Sequence, residues 1–121
     1  MRAVLFDMDG VLVFSEDAWF AVYNATLNGF GHAAIPRGDF DAIYGNGTEA
    51  DRATYMKEHS VKEIDAAYAR FFEERFDAIR VNPEAEGVLK ALRAAGVRTA
   101  VATNTNRPLA DRILARAGLT P

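Results

Sequence analysis

An α/β fold with a parallel-sheet core, interrupted by an all-helical insertion, is predicted for this chain from three observations. Ala3-Val4-Leu5-Phe6 is a short apolar stretch of the kind that forms a strand buried on both faces. Val97 to Ala102 reads the same way and lies between two helix-like segments, and strands alternating with helices build parallel sheets. Between the two strands, residues of roughly 15 to 80 carry helical periodicity almost throughout.

The elements follow in order. After the first strand, Ser15 is placed to cap a helix whose first turn holds Glu16 and Asp17. Trp19, Val22, Tyr23, Thr26, Leu27 and Phe30 recur along it at helical spacing, and Gly29 and Gly31 stop it. A loop through Pro36 leads to a short helical piece with Phe40, Ile43 and Tyr44, broken by Gly45-Asn46-Gly47. Two capping boxes come next: Thr48 with Asp51, then Ser60 with Glu63. The second opens a longer helix bearing Val61, Ile64, Tyr68, Phe71, Phe72 and Ile79. Beyond Asn82-Pro83, a helix over 84 to 95 presents Val88, Leu89 and Leu92, and Gly96 ends it before the second strand. Pro108 suits the first position of a last helix carrying Leu109, Ile113 and Leu114, which closes at Gly118. The division is therefore a core of residues 1–14 and 81–121 around a helical unit of 15–80. That unit is joined near residues 14 and 81, where it can cover the end of the first strand.

Composition narrows the classes. The chain has 121 residues, 50% hydrophobic and 26% charged, which is the make-up of a globular domain. A net charge of -3 offers no global attraction to nucleic acid or anionic membranes, so any recognition of phosphate must be local. With no Cys there are no disulfides, thiolate metal sites or cysteine nucleophile. No apolar run is long enough for a membrane span, and Asp7 and Asp9 interrupt any signal-peptide pattern, so the cytoplasm is the expected location. Nothing in the residues sets an oligomeric state.

Asp7 and Asp9 stand at the end of an apolar strand, where an ionised carboxylate is costly unless something pairs with it. Asp9-Gly10 between apolar runs also fits a tight hairpin turn with Met8 facing Val11, which would make Asp9 a turn residue and leave Asp7 unexplained. A calcium loop fails, because the glycine follows the second Asp directly. Functionally, side chains at i and i+2 leave a strand on one face, so the two carboxylates can converge where open α/β sheets bind ligands. A hard divalent cation such as Mg²⁺ relieves their repulsion, and the pair can divide nucleophilic attack from proton transfer. The stretch "VRTAVATNTNRP" is a second strand end, running through a polar loop into a helix N-terminus. Taken alone, Thr103 is equally well a turn residue.

Together the two strand ends resemble the haloacid dehalogenase superfamily. Asp7-Met8-Asp9-Gly10-Val11 fits its first motif, D-x-D-x-[TV], and Thr103 fits its second, a Thr or Ser ending the next strand. The helical unit looks like the cap domain of the phosphoglycolate phosphatase and beta-phosphoglucomutase branch, and the core would be Rossmann-like. The resemblance implies that Asp7 is the nucleophile, forming an aspartyl-phosphate, and Asp9 the acid and base. Mg²⁺ would bind the Asp7 carboxylate and the Asp9 backbone carbonyl. Gly10 would shape the turn, and Thr103 with Asn104 would hold the phosphoryl group. A carboxylate at position 9 favours phosphoryl chemistry over C-Cl or C-P cleavage.

The function so implied is hydrolysis of a phosphoric monoester, a small phosphorylated metabolite. A beta-phosphoglucomutase-like phosphomutase, or a truncated non-catalytic relative that binds a partner, is the alternative. Two family motifs, a Lys or Arg and an acidic pair, belong after the third strand, so the resemblance implies an N-terminal portion that is inactive alone. "YGNGTEADR" looks like the family's specificity loop, with Gly45, Gly47 and Glu49 in place. It lacks the mutase branch's Arg near Thr48, although Arg52 lies one turn on. Arg52 and Arg107 are candidate substrate contacts by charge. Trp19 and the Tyr and Phe row read as core, and His32 and His59 have no sequence neighbour that points to a metal or a triad.

Overall fold

The computed structural model describes residues 2–119. β1 (Ala3–Phe6) and β4 (Arg98–Val101) pair in parallel, with Ala3 opposite Arg98 and Phe6 opposite Val101. This register sets the carboxyl ends of the two strands side by side. α5 (Ala85–Ala94) leads into β4, and α6 (Arg107–Ala117) leaves it. Between the core strands run α1 (Glu16–Gly29), α2 (Arg37–Ile43), α3 (Thr48–Tyr55) and α4 (Val61–Phe72). The result is a partial Rossmann-like α/β core with a helical region. No helix among the described residues is long and apolar enough to cross a membrane.

The helical region is built on aromatic packing between α1 and α4. Trp19 meets the edges of Tyr68 at 5.1 Å and Phe72 at 4.7 Å, and Tyr23, Leu27, Ile64 and Phe72 are buried around them. Each such ring pair adds about 0.5–1.5 kcal/mol beyond the burial itself. The Ser60–Glu63 capping box opens α4 as expected, with the Glu63 amide donating to Ser60 Oγ at 3.1 Å.

Several expectations are corrected. Gly47, not Thr48, is the N-cap of α3; Thr48 Oγ1 donates to Asp65 at 2.6 Å, and Asp51 is taken by Tyr68. Ser15 makes no cap bond, because its hydroxyl is drawn to the Asp9 carboxylate. α4 ends at Phe72, and a 3₁₀ turn, Phe76–Ala78, carries the chain past Ile79. α6 starts at Arg107 with Asn106 as its cap, so Pro108 is its second residue. Val88 is 44% exposed and lies off the core, and Leu5 is 71% exposed, so β1 is not buried on both faces among the described residues.

A short antiparallel ribbon was not foreseen. β2 (Val13–Phe14) pairs with β3 (Arg80–Val81), where the chain enters and leaves the helical region. Asn82 fastens it, its amide donating to Leu12 O at 2.9 Å and its side chain to Val11 O at 2.8 Å. α6 grips the exit as well: Arg112 pairs with Glu73, Arg116 with Asp77 at 2.8 Å, and both guanidinium groups lie over the Phe76 ring. Two residues per strand is too short to be recognised by alternation.

The contrast between the two serines is testable. Ser60→Ala removes a real helix cap and should cost about 1 kcal/mol in urea unfolding. An unchanged midpoint would show that the box contributes nothing.

Candidate active site

The site begins at the carboxyl end of β1. After Phe6 and Asp7 the chain winds a turn around the Met8 carbonyl, which accepts from the amides of Val11, Leu12 and Val13 at 3.3, 3.0 and 3.1 Å. Gly10 makes the turn possible with φ of 83°, a region that L side chains rarely adopt. The hairpin alternative is right that a turn stands here and wrong about its form, since Met8 and Val11 do not face each other in a ladder. Met8 is fully buried beneath the turn, while Asp9 is directed into a cavity.

Asp9 is held from both sides. Its Oδ1 accepts from Ser15 Oγ, and its Oδ2 from Thr105 Oγ1 at 3.0 Å, with Thr103 Oγ1 at 3.5 Å. Ser15 Oγ also lies 2.9 Å from the Tyr44 hydroxyl. Ser15 has a single proton and gives it to Asp9, so Tyr44 donates to Ser15. Burial pushes the Tyr44 phenol up to about 12, and the nearby charges of Asp9, Glu16 and Asp7 add to the rise. Tyr44 is therefore a proton donor at neutral pH.

The second strand end closes the site. Beyond β4, Thr103 Oγ1 accepts from the Thr105 amide at 3.2 Å. Asn104 Nδ2 donates to Gly45 O at 2.7 Å, which ties the core loop to the loop between α2 and α3. The cavity measures about 720 Å³, within the range of small-molecule sites. Its core wall is Asp7, Asp9 and Ala102 to Asn106, and its helical wall includes Trp19, Tyr44 to Thr48, Asp51 and Tyr68.

Four of the residues singled out in the sequence thus meet: Asp7, Asp9, Thr103 and Asn104. Gly10 stands just outside, serving through its backbone. Arg52 and Arg107 do not line the cavity. Arg52 Nε donates to His59 O at 2.6 Å and Nη2 to Lys57 O at 3.3 Å, so its guanidinium braces the turn before α4. Arg107 is 87% exposed and paired with Asp111 one turn along α6. Trp19 is both packed and cavity-lining.

Asp51 was missed, having been read as a capping partner. It accepts from Tyr68 Oη at 2.7 Å, and burial pushes its carboxyl up to about 6, while the Tyr68 bond pulls down and Asp65 pushes up. The signal available was its place in the loop-like "YGNGTEADR" stretch. Among the described residues the Asp7 carboxylate makes no hydrogen bond or ion pair. An unengaged carboxylate in a cavity of oxygen donors suits a hard divalent cation such as Mg²⁺.

The family model for haloacid dehalogenase-like hydrolases matches residues 1–121. The chain belongs to that family. It is similar to the tyrosine-protein kinase PtkA of Mycobacterium tuberculosis, at 38% identity over 98% of this chain and 41% of the relative. It is similar to the phosphoglycolate phosphatase of Agrobacterium fabrum, at 32% identity over 96% of this chain and 53% of the relative. A hydrolase structure from Pseudomonas syringae superposes with a TM-score of 0.82, at 18% identity over 99% of this chain and 57% of that one, which bears on the fold alone. The chain therefore spans about half the length of these relatives.

Asp51 generates a prediction with a defined sign. Its folded pKa lies above the unfolded value of 3.8, so the folded state loses stability relative to the unfolded one as pH rises from 3.8 to about 6, and loses none below 3.8, where both states are protonated. Asp51→Asn should stabilise the protein by about 1–3 kcal/mol at pH 7.5 and leave it unchanged at about pH 3, measured by urea unfolding. A gap independent of pH would refute the burial argument.

Proposed function

We propose that this chain supplies the nucleophile and the acid-base of a Mg²⁺-dependent phosphoric monoester hydrolase acting on a small phosphorylated metabolite. The observation that supports it best is the division of states between the two carboxylates. Asp7 is exposed and unengaged, whereas Asp9 is fixed by hydroxyls from the start of α1 and from the loop after β4. A nucleophile must be free to attack, and a proton carrier must be positioned.

An Asp7 oxygen attacks phosphorus and the ester P–O bond breaks, leaving an aspartyl-phosphate. Asp9, entering the reaction protonated, gives that proton to the departing alkoxide oxygen. It then takes one from a water that attacks the same phosphorus, freeing inorganic phosphate and restoring Asp7. Thr103 and Asn104 supply donors to the phosphoryl oxygens. The Asp7 carboxylate and the Asp9 backbone carbonyl would hold Mg²⁺, which would supply positive charge for an anionic ester. In this reading residues 15–80 are a cap that covers the site and excludes water, hinged on the β2–β3 ribbon.

The cavity is lined by Asp7, Asp9 and Asp51 and, among the described residues, by no Lys or Arg. A phosphate dianion there faces three carboxylates without a protein cation. Lacking even one preorganised stabilising group costs about 10²–10³ in rate. The 121 residues by themselves are therefore expected to hydrolyse phosphoesters negligibly, and the whole protein is the form to assay.

A second reading has one observation in its favour. Identity to PtkA, named a tyrosine-protein kinase, is 38%, against 32% for the phosphoglycolate phosphatase. The same Asp7 could then pass a phosphoryl group to a tyrosine hydroxyl instead of water.

In a Mg²⁺ assay of the whole protein on phosphorylated sugars, glycolate and nucleotides, Asp7→Asn should abolish turnover. Asp9→Asn should slow it by about 10²–10⁴ and let phosphoenzyme persist. Phosphate mapped by mass spectrometry to a residue other than Asp7 would overturn the mechanism. Phosphotyrosine formed from ATP on a peptide, without ester hydrolysis, would replace the hydrolase reading by the kinase one.

A further inference from the structure

His32 and His59, which the sequence leaves without partners, come together on the helical region away from the catalytic cavity. α1 ends in a Schellman turn: the His32 amide donates to Leu27 O at 2.8 Å and the Gly31 amide to Asn28 O at 3.1 Å, with Gly31 at φ of 85°. This fixes the position of His32 at the end of α1. His59 sits one residue before the Ser60 cap of α4, its carbonyl gripped by Arg52 and its amide bonded to Met56 O at 3.0 Å. Its ring stacks on Phe30 with centroids 3.8 Å apart and planes 12° from parallel. Both imidazoles are therefore placed by backbone and packing.

Glu58 completes the group. One donor atom from each of His32, Glu58 and His59 lies within 4.8 Å of the others. His32 Nε2 is buried and 2.9 Å from Glu58 Oε1, yet it makes no well-directed hydrogen bond. Two electron-rich atoms that close without a directed proton between them are what a shared cation accommodates. A fourth residue stands behind: His59 Nδ1 is 3.2 Å from Glu63 Oε2, the carboxylate–imidazole pairing that orients metal-bound histidines and raises their basicity.

We propose that His32, Glu58 and His59 form a zinc-binding site that clips the end of α1 to the turn between α3 and α4. Two imidazoles and one carboxylate are a donor set for Zn²⁺ and not for Mg²⁺, which prefers oxygen. Zinc bonds of about 2.0–2.1 Å place tetrahedral donors about 3.4 Å apart, inside the 4.8 Å within which the present atoms lie. A water takes the fourth position. None of the three residues lines the catalytic cavity, so the ion acts on the stability of the helical region and takes no part in the reaction.

The test is a Zn²⁺ titration of the full chain in excess Mg²⁺, read by native mass spectrometry, calorimetry and thermal unfolding. One zinc per chain and a raised melting temperature are expected. His32→Gln and His59→Gln should each lose that zinc while keeping the wild-type circular dichroism. Glu63→Gln should bind about 10-fold more weakly. X-ray absorption on the zinc-loaded wild type, which needs no variant, should show scattering from two imidazoles. A chain that retains no zinc, an all-oxygen shell, or zinc kept equally by both folded His variants would overturn the site and leave an ordinary His–Glu ion pair.

Discussion

The Asp9 carboxylate is the constraint on which this structure depends. β1 and β4 are far apart in sequence and adjacent in space, and parallel pairing alone brings only their backbones together. Their ends become one site because Asp9 accepts from Thr105 on one side and from Ser15, at the start of α1, on the other. Tyr44 extends the chain of donors to the end of α2. A carboxylate can serve so many hydroxyls because, ionised, it only accepts, and bonds to a charged acceptor are stronger than neutral ones. Gly10, with its positive φ, permits the turn that follows Asp9 directly.

The electrostatics of the cavity follow from the same arrangement. Asp9 is fully engaged, Asp7 is left free, and Asp51 on the opposite wall is pushed up to about 6 by burial. Near neutral pH the walls are thus negative and studded with hydroxyl and amide donors. Such a site repels an anion that arrives without a cation. The helical region contributes a wall and the Asn104–Gly45 bond, so movement of that region changes the site directly.

What was legible in the sequence was what rests on local rules. The apolar strand before Asp7, the i and i+2 spacing of the carboxylates, the Ser60–Glu63 box and the polar turn at Thr103 all depend on neighbours within a few residues. The misreadings share a cause. Ser15, Thr48 and Asp51 were assigned to helix caps because such residues before helices usually cap them, yet each found a tertiary partner in Asp9, Asp65 and Tyr68. Arg52 and Arg107 were assigned to substrate by charge, and each satisfies its guanidinium close by. The His32–Glu58–His59 group was invisible because α1 and the α3–α4 turn meet only in the folded chain.

Asp9 should couple the two strand ends energetically. A double-mutant cycle of Asp9→Ala and Thr105→Ala, followed by urea unfolding, measures it most directly. A coupling of about 1–3 kcal/mol is expected, the range for a hydrogen bond to a charged acceptor. Additivity within about 0.3–0.5 kcal/mol would contradict it and reduce the contact to proximity.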